Sequence, residues 1–223
     1  MKSNLFLRVI IFLFCLTASF PLRAEPLTET EARQWTEEKG RQLLETFGEI
    51  DVVKKYATLD EMMTSYIDLE YVAKFVMGRY WRQMNNEQQD LYQSVFKRYA
   101  LSIYKSFPLD FNTDKINFEI VKVIPDLRKT VVRTKIFLKP ETTDESLPRS
   151  DIFVDFHLRK EENQIKIIDL KLGESSLILS YRSRFYEMIA QNDDDIEWFL
   201  EDLSNITEAA ERTVQEKLHQ AEY

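Results

Sequence analysis

The chain has 223 residues, a formal net charge of −8, 44% hydrophobic residues, four glycines and one cysteine. An acidic chain is a poor electrostatic partner for nucleic acids and for anionic lipid surfaces, so neither is expected to bind it by charge. Four glycines offer no glycine-rich phosphate loop, and one cysteine excludes a disulfide framework. A chain of this length can be stabilised by its hydrophobic core alone.

Residues 1–24 have the pattern of a cleavable secretory signal peptide. Basic residues precede an apolar run at positions 9–20, and Ala24 is a small residue suited to cleavage. The run is shorter than the roughly 20 residues that span a bilayer as a helix. Because Cys15 lies in this run, we expect an exported, soluble, cysteine-free mature protein that forms a single domain over residues 25–223.

Capping signals predict the first helices of the mature chain. Thr28 with Glu31 forms a capping box for the first helix, which Gly48 ends. A second capping box, Thr58 with Glu61, predicts the start of a short second helix.

Two further capping signals surround an aromatic-rich stretch. Asp68 is expected to cap a helix that runs to Gly78. Asn85 with Gln88 is expected to cap a long helix that ends near Phe107, and its apolar residues recur every three or four positions.

A period of two in the middle of the chain predicts strands. The four predicted strands are 115–123, 130–138, 151–158 and 164–172. In the first of them the apolar face changes between Ile120 and Val121, which predicts a β-bulge. Short polar connections without a helix favour an antiparallel meander. With the flanking helices, this gives an α+β domain whose helices pack on one face of a four-stranded antiparallel sheet.

The helical period returns after the sheet. Positions 176–191 predict one helix, and the acidic run at 192–195 is expected to begin the last one. Beyond Thr207 the sequence is charged and rich in alanine. Residues 207–223 are therefore expected to form an exposed C-terminal helix.

A catalytic interpretation rests on His157. Asp155 lies on the same strand face, and Asp169 on the neighbouring strand can approach it. A histidine with a carboxylate can perform general acid–base chemistry in the pocket of a cone-shaped α+β enzyme. A solvent-facing histidine on a charged strand face explains the same pattern. No His or Cys spacing suits a metal and no serine stands in a nucleophile elbow, so neither metal nor cofactor is expected.

Large apolar residues are abundant, although no catalytic constellation stands out. Aromatic residues make up 13% of the chain and occur on nearly every predicted element. A filled hydrophobic core explains this content, and so does a cavity between sheet and helices that binds an apolar ligand. Spacing leaves both interpretations open, and a protein with a filled core that acts only by interaction is a third.

Two motifs resemble the MlaC/toluene-tolerance family of periplasmic phospholipid-binding proteins. They are DLEYVAKFVMGRYWR at positions 68–82 followed by Glu87-Gln88, and KIID at 166–169 followed by Ser176-Leu177 and YRSRF at 181–185. The resemblance extends roughly from residue 30 to residue 203. The chain departs from the pattern in three places: Gly173 lies one position early, Lys166 stands where the family more often has tryptophan, and the loop at 140–149 is long and polar.

The resemblance implies a carrier that performs no covalent chemistry and needs no cofactor. Family members hold phospholipid acyl tails in an apolar cavity between a strongly twisted sheet and the helices. They move lipid between an outer-membrane lipoprotein–porin complex and an inner-membrane ABC transporter, which has membrane-anchored substrate-binding subunits. This transport system maintains outer-membrane lipid asymmetry. A periplasmic monomer that binds phospholipid and no nucleic acid is therefore expected.

With the resemblance, the predicted elements suggest which side chains line such a cavity. The candidates are large apolar residues from the aromatic-rich stretch, the long helix, the third strand and the later helix. They are Phe75, Val76, Tyr80, Trp81, Phe96, Tyr99, Ile103, Ile152, Val154, Phe156, Leu177, Tyr181 and Phe185. Arg182 and Arg184 are candidates for contact with a phosphate head group, and a structural salt bridge is the alternative role for Arg182.

Overall fold

The computed structural model describes residues 26–106, 113–139, 151–161 and 163–221. The expected signal peptide and the polar connection at 140–149 lie outside these residues. The six described α-helices are α1 (Glu29–Phe47), α2 (Val52–Tyr66), α3 (Leu69–Met77), α4 (Asn86–Ser106), α5 (Leu177–Gln191) and α6 (Ile196–Ala221), and Tyr80–Arg82 and Thr113–Lys115 form short 3-10 helices. The five described strands are β1 (Ile116–Ile124), β2 (Thr130–Leu138), β3 (Ile152–Glu161), β4 (Gln164–Leu172) and β5 (Ser175–Ser176).

Local capping hydrogen bonds set where most helices begin. At α1 the Thr28 N–H donates to Glu31 Oε2 at 3.0 Å and the Glu31 N–H donates to Thr28 Oγ1 at 3.2 Å, as the sequence predicts. Asp68 likewise caps α3. The predicted start at Thr58 is wrong, because α2 begins at Val52 after the cap residue Asp51, whose carboxylate accepts from the Lys54 N–H at 3.1 Å.

The sheet is an antiparallel meander in which strand order follows chain order. The predicted bulge in β1 is present between Ile120 and Lys122. The prediction of four strands needs one correction, because Ser175 and Ser176 form a fifth strand that pairs with the end of β4. A strand of two residues has no periodicity, so the pattern of the sequence could not indicate it.

The C-terminal helix also differs from the prediction. Helix α6 continues unbroken to Ala221, and Thr207, Ala210 and Val214 on one of its faces are buried. Val214 packs with Tyr56 and Leu59 of α2. The expectation of an exposed helix over 207–223 is therefore wrong for this face. Its small apolar and polar residues, which lie between charged residues in the sequence, pack against the rest of the protein.

Three hydrophobic clusters organise the helices around the sheet, and the contact of Val214 with α2 belongs to one of them. The apolar sheet face, which includes Val132 and Leu158, packs against Ala32 of α1. The second cluster joins α3, α4, α5 and α6 around Phe185 and Phe199, and α3 and α5 contact β4. Helices α1 and α2 therefore cover the apolar sheet face, while the other four form a helical cluster of their own beside β4.

Candidate functional site

An apolar cavity of about 240 Å³ lies between α1, α2 and the sheet. Helix α2 contributes Leu59, Met62, Met63 and Tyr66 to its wall. These positions are three or four residues apart, so they share one face of the helix. Their spacing explains why α2 turns an apolar stripe toward α1 and the sheet.

Helix α1 forms the opposite wall through one face of its own. The side chains of Trp35, Thr36, Leu43 and Phe47 border the cavity. Thr36 is followed by Leu43 after two helical turns and by Phe47 after one more, so the wall extends along most of the helix.

Gly40 lets the sheet approach α1 closely. A Cβ atom at Gly40 would lie 2.5 Å from Cζ of Phe118, which is shorter than real Cβ contacts. The Phe118 ring of β1 therefore occupies the place of a side chain, and Gly40 itself borders the cavity.

The floor of the cavity depends on an irregularity between β3 and β4. Phe156 pairs with Leu170, and both line the cavity. Ile167 lines it too, although residues three apart on a regular strand face opposite sides. His157 pairs with Asp169, but Leu158 pairs with Ile167. Ile168 of β4 is therefore the extra residue of a β-bulge. This bulge brings both apolar side chains of β4 to the same face.

Lys39, the charged residue of the cavity wall, lies at one end of the cavity. The Lys39 ammonium lies 2.8 Å from Glu38 Oε1 and 4.7 Å from the centre of the Tyr66 ring. The hydrogen bond with Glu38 raises the pKa of Lys39, and partial burial opposes this. The Tyr66 hydroxyl donates to Gln42 Oε1 at 3.0 Å, and its ring meets Trp35 edge to face with centroids 5.9 Å apart. A cation and two amphipathic aromatic rings thus meet at this end.

Tyr104 of α4 lines the other end of the cavity. Its hydroxyl donates to Asp60 Oδ1 at 2.6 Å, and Lys105 Nζ lies 2.8 Å from Asp60 Oδ2. Burial, followed by the hydrogen bond to Asp60, raises the pKa of Tyr104 far above its usual range. The phenol therefore stays neutral, and its contacts fasten α2 to the end of α4.

The structure separates the predicted wall residues into three groups. Phe156 lines the cavity. Eight belong to the helical cluster or pack against it: Val76, Tyr80, Trp81, Phe96, Tyr99, Ile103, Tyr181 and Phe185. Phe75, Ile152 and Leu177 are 42%, 39% and 46% exposed, and Val154 is half-buried on β3.

The cavity residues of α1 and α2 were absent from the predicted wall. A signal for them exists in the sequence, since Met62 and Met63 place two adaptable thioethers on the apolar stripe of α2. Gly40 inside an otherwise regular helix is a second signal, because glycine there weakens a helix unless something approaches closely. The aromatic-rich stretch drew attention to the helical cluster instead.

The two arginine candidates lie away from the cavity. The Arg182 guanidinium donates to the backbone oxygen of Phe75, with Nε at 3.1 Å, and stacks on the Phe75 ring at 4.5 Å. It therefore covers the C-terminal end of α3. Arg184 is exposed on α5.

His157 and Asp155 alternate with Phe156 along β3, so they lie on the opposite sheet face from the cavity. Asp169 of β4 pairs with His157. His157 is only 8% exposed, so the expectation of a solvent-facing histidine is wrong. Its Nδ1 lies 3.7 Å from Asp169 Oδ2 and 3.2 Å from Lys129 Nζ. Burial, and then the Lys129 charge, lower the pKa of His157.

Both carboxylates near His157 have structural partners. Asp155 accepts two hydrogen bonds from Arg133, each of 2.7 Å, which hold the pKa of Asp155 below its usual value. Asp169 accepts from the Ser176 hydroxyl at 2.7 Å and from the Ile178 N–H at 3.2 Å, and so supports the start of α5. This arrangement stabilises the sheet and the next helix and is separate from the cavity.

Within the described ranges, no helix is both long enough and apolar enough to cross a membrane. Across the same part of the chain, no group of three or more His, Cys, Asp or Glu side chains is placed to hold a metal ion.

Comparisons with known proteins agree with the fold. The chain is similar to a phospholipid-binding protein from Ralstonia solanacearum whose structure was solved in complex with a phospholipid. The two share 17% identity with a TM-score of 0.63 over 80% of this chain and 98% of the other, which shows a common fold. No match was found among curated protein sequences. The family model of the MlaC protein matches residues 43–205, most of the chain, and confirms the resemblance inferred from the two sequence motifs. The chain therefore belongs to the MlaC family.

Proposed function

We propose that the protein binds a phospholipid and holds acyl chain in the cavity between α1, α2 and the sheet. The observation that carries this proposal is the composition of the cavity wall, which is apolar and aromatic apart from Thr36 and Lys39. A pocket of this kind suits a ligand that is mainly hydrocarbon. Family membership and the phospholipid bound to the Ralstonia protein support the same ligand class.

The energy of transfer explains why a lipid carrier needs such a cavity. Each methylene removed from water contributes about 0.8 kcal/mol, so one chain of roughly fifteen methylenes gains about 12 kcal/mol. A site with several polar groups would lose part of this gain to their desolvation. A dry wall with methionines, which adapt their shape, retains most of it.

The cavity must widen to take a whole lipid. Its volume of about 240 Å³ lies below the roughly 300–1,000 Å³ of common ligand sites. The start of α1 is fastened to the sheet, since the Thr130 hydroxyl donates to the Leu27 oxygen at 3.2 Å. The end of α2 is fastened too, since the Asp68 N–H donates to the Ile167 oxygen at 3.0 Å. Between these attachments Asp60 of α2 is also held by Tyr104 and Lys105 of α4, so we expect widening of the cavity to require these contacts to break.

The wider role follows the family. We propose that the protein works in the periplasm and passes phospholipid between an outer-membrane lipoprotein–porin complex and an inner-membrane ABC transporter. Release in this scheme requires partners that favour the widened state, because a ligand leaves a closed apolar cavity only if another state is stabilised.

The direct test is mass spectrometry of organic extracts from the gently purified protein. We expect close to one phospholipid per chain. A Leu59→Trp variant, which fills the cavity, should lose this lipid. A Leu91→Trp variant, at a position that is 50% exposed on α4, should keep it. Purified protein that carries no phospholipid and also takes none from liposomes refutes the proposal.

A further inference from the structure

Thr36 is an anomaly in the cavity wall. Its side chain borders the cavity and is only 3% exposed. Its hydroxyl oxygen is buried and has no hydrogen-bond partner within the described residues. A buried hydroxyl without a partner lowers stability, so such a group calls for an explanation.

Four other helical threonines make a hydrogen bond that Thr36 does not make. A helical threonine can donate its hydroxyl to the carbonyl oxygen four residues earlier. Thr46, Thr64, Thr207 and Thr213 all do so, at distances of 2.7, 2.8, 2.7 and 3.1 Å. The Thr36 hydroxyl makes no such bond and keeps its proton available.

An acceptor that arrives with the ligand would satisfy the Thr36 hydroxyl. The cavity wall offers little competition, because the Tyr104 and Tyr66 hydroxyls already donate to Asp60 and Gln42. In a phospholipid, the ester carbonyls are the acceptors that lie next to the hydrocarbon. We propose that Thr36 donates a hydrogen bond to an ester carbonyl of the bound lipid and so favours ester-linked over ether-linked chains. This inference rests on the proposed function.

The position of Lys39 is consistent with this orientation. Thr36 and Lys39 are three residues apart on one face of α1, which places their Cβ atoms about 5–6 Å from each other. The phosphate of a phospholipid is joined to the same glycerol as the ester groups, so a carbonyl at Thr36 brings the phosphate toward the Lys39 ammonium.

The test compares two lipids and four proteins. The lipids are a diacyl phosphatidylethanolamine and its dialkyl ether analogue with equal chain lengths, which differ in the ester carbonyls. The proteins, all delipidated, are the unchanged chain, Thr36→Val, Thr36→Ser and the control Thr46→Val. Valine keeps the shape of threonine without the hydroxyl, and serine keeps the hydroxyl.

We expect the unchanged chain to bind the ester lipid about five- to tenfold more tightly than the ether lipid, the range for one hydrogen bond. Thr36→Val should lose this preference by weakening ester binding alone, while Thr36→Ser and Thr46→Val keep it. Equal affinity of the unchanged chain for both lipids, or equal weakening of both by Thr36→Val, refutes the inference and leaves the proposed function standing. Failure of the unchanged chain to bind either lipid refutes both.

Discussion

Two phenylalanine-to-alanine substitutions separate the core of this protein from its proposed binding site. Phe185 lies at the centre of the helical cluster and is fully buried. Five aromatic rings surround it with centroid distances of 5.4 to 6.5 Å, namely those of Tyr92, Phe96, Tyr99, Tyr181 and Phe199. Phe156 is half-buried and borders the cavity. Phe185→Ala therefore removes packing within the core, whereas Phe156→Ala removes part of the cavity wall.

The structure gives the expected sizes of the two effects. Phe185→Ala should cost about 4–5 kcal/mol of unfolding free energy, the upper part of the usual range, because it leaves a void among five rings. For a domain of this size that lowers Tm by about 10–15 °C. Phe156→Ala should cost only about 1–2 kcal/mol, since an open space already adjoins the ring. It should weaken lipid binding about tenfold or more, because a buried phenylalanine contributes about 1.5–3 kcal/mol.

Thermal melting followed by far-UV circular dichroism measures the first effect, and competition with a fluorescent phospholipid measures the second. Binding is compared at a temperature at which both variants are folded. Phe185→Ala is expected to retain lipid binding there. If folded Phe185→Ala loses as much affinity as Phe156→Ala, lipid reaches the helical cluster, and the wall residues predicted from the sequence form part of the site after all.

Two further predictions concern stability without lipid. In the delipidated protein Thr36→Val should raise the unfolding free energy by about 1 kcal/mol, because it removes a buried hydroxyl that has no hydrogen-bond partner among the described residues. Thr207→Val should lower the unfolding free energy by about 1 kcal/mol through loss of the bond to Leu203. Urea denaturation that shows equal losses for both variants contradicts this interpretation of Thr36. The second prediction concerns stability in acid. The hydrogen bond from Lys160, and then those of Thr28, lower the pKa of Glu31 from 4.5 to about 2. The contribution of Glu31 to the unfolding free energy is therefore complete above pH 4.5 and is lost as the pH falls toward 2. Lys160→Met should reduce that acid-dependent loss relative to the exposed control Lys122→Met, and identical pH profiles of the two variants would show that the Glu31 pair contributes nothing.

Most secondary structure could be predicted because its signals are local. The caps at Thr28, Asp68 and Asn85 depend on hydrogen bonds across three residues, and all three are present in the structure. Strand periodicity likewise depends on neighbouring residues, so the four long strands were found. Thr58 misled because its capping pattern occurs inside a helix that Asp51 had already begun.

The family was also accessible from the sequence. The motif at 68–82 combines a cap, a glycine turn and four aromatic residues, and the structure explains the cap and the turn. Gly78 adopts a φ of +50°, which glycine tolerates best. A Cβ atom there would lie 2.5 Å from the Tyr186 hydroxyl, whose oxygen accepts from the Arg79 N–H at 3.0 Å. The glycine of the motif is therefore needed for the close packing of this turn against Tyr186 in the helical cluster.

The location of the cavity was decided by tertiary structure. Trp81 and Phe156 look alike in sequence as large aromatic residues, but Trp81 packs against the helical cluster and Phe156 faces an open space. The bulge between β3 and β4 turns Ile167 toward that space, and it depends on how two strands pair. The Thr36 hydroxyl has no hydrogen-bond partner in the described part of the chain, and this can be seen only when its neighbouring atoms are in place. Periodicity reports which face of an element is apolar, whereas a cavity is the gap left when faces far apart in sequence meet imperfectly.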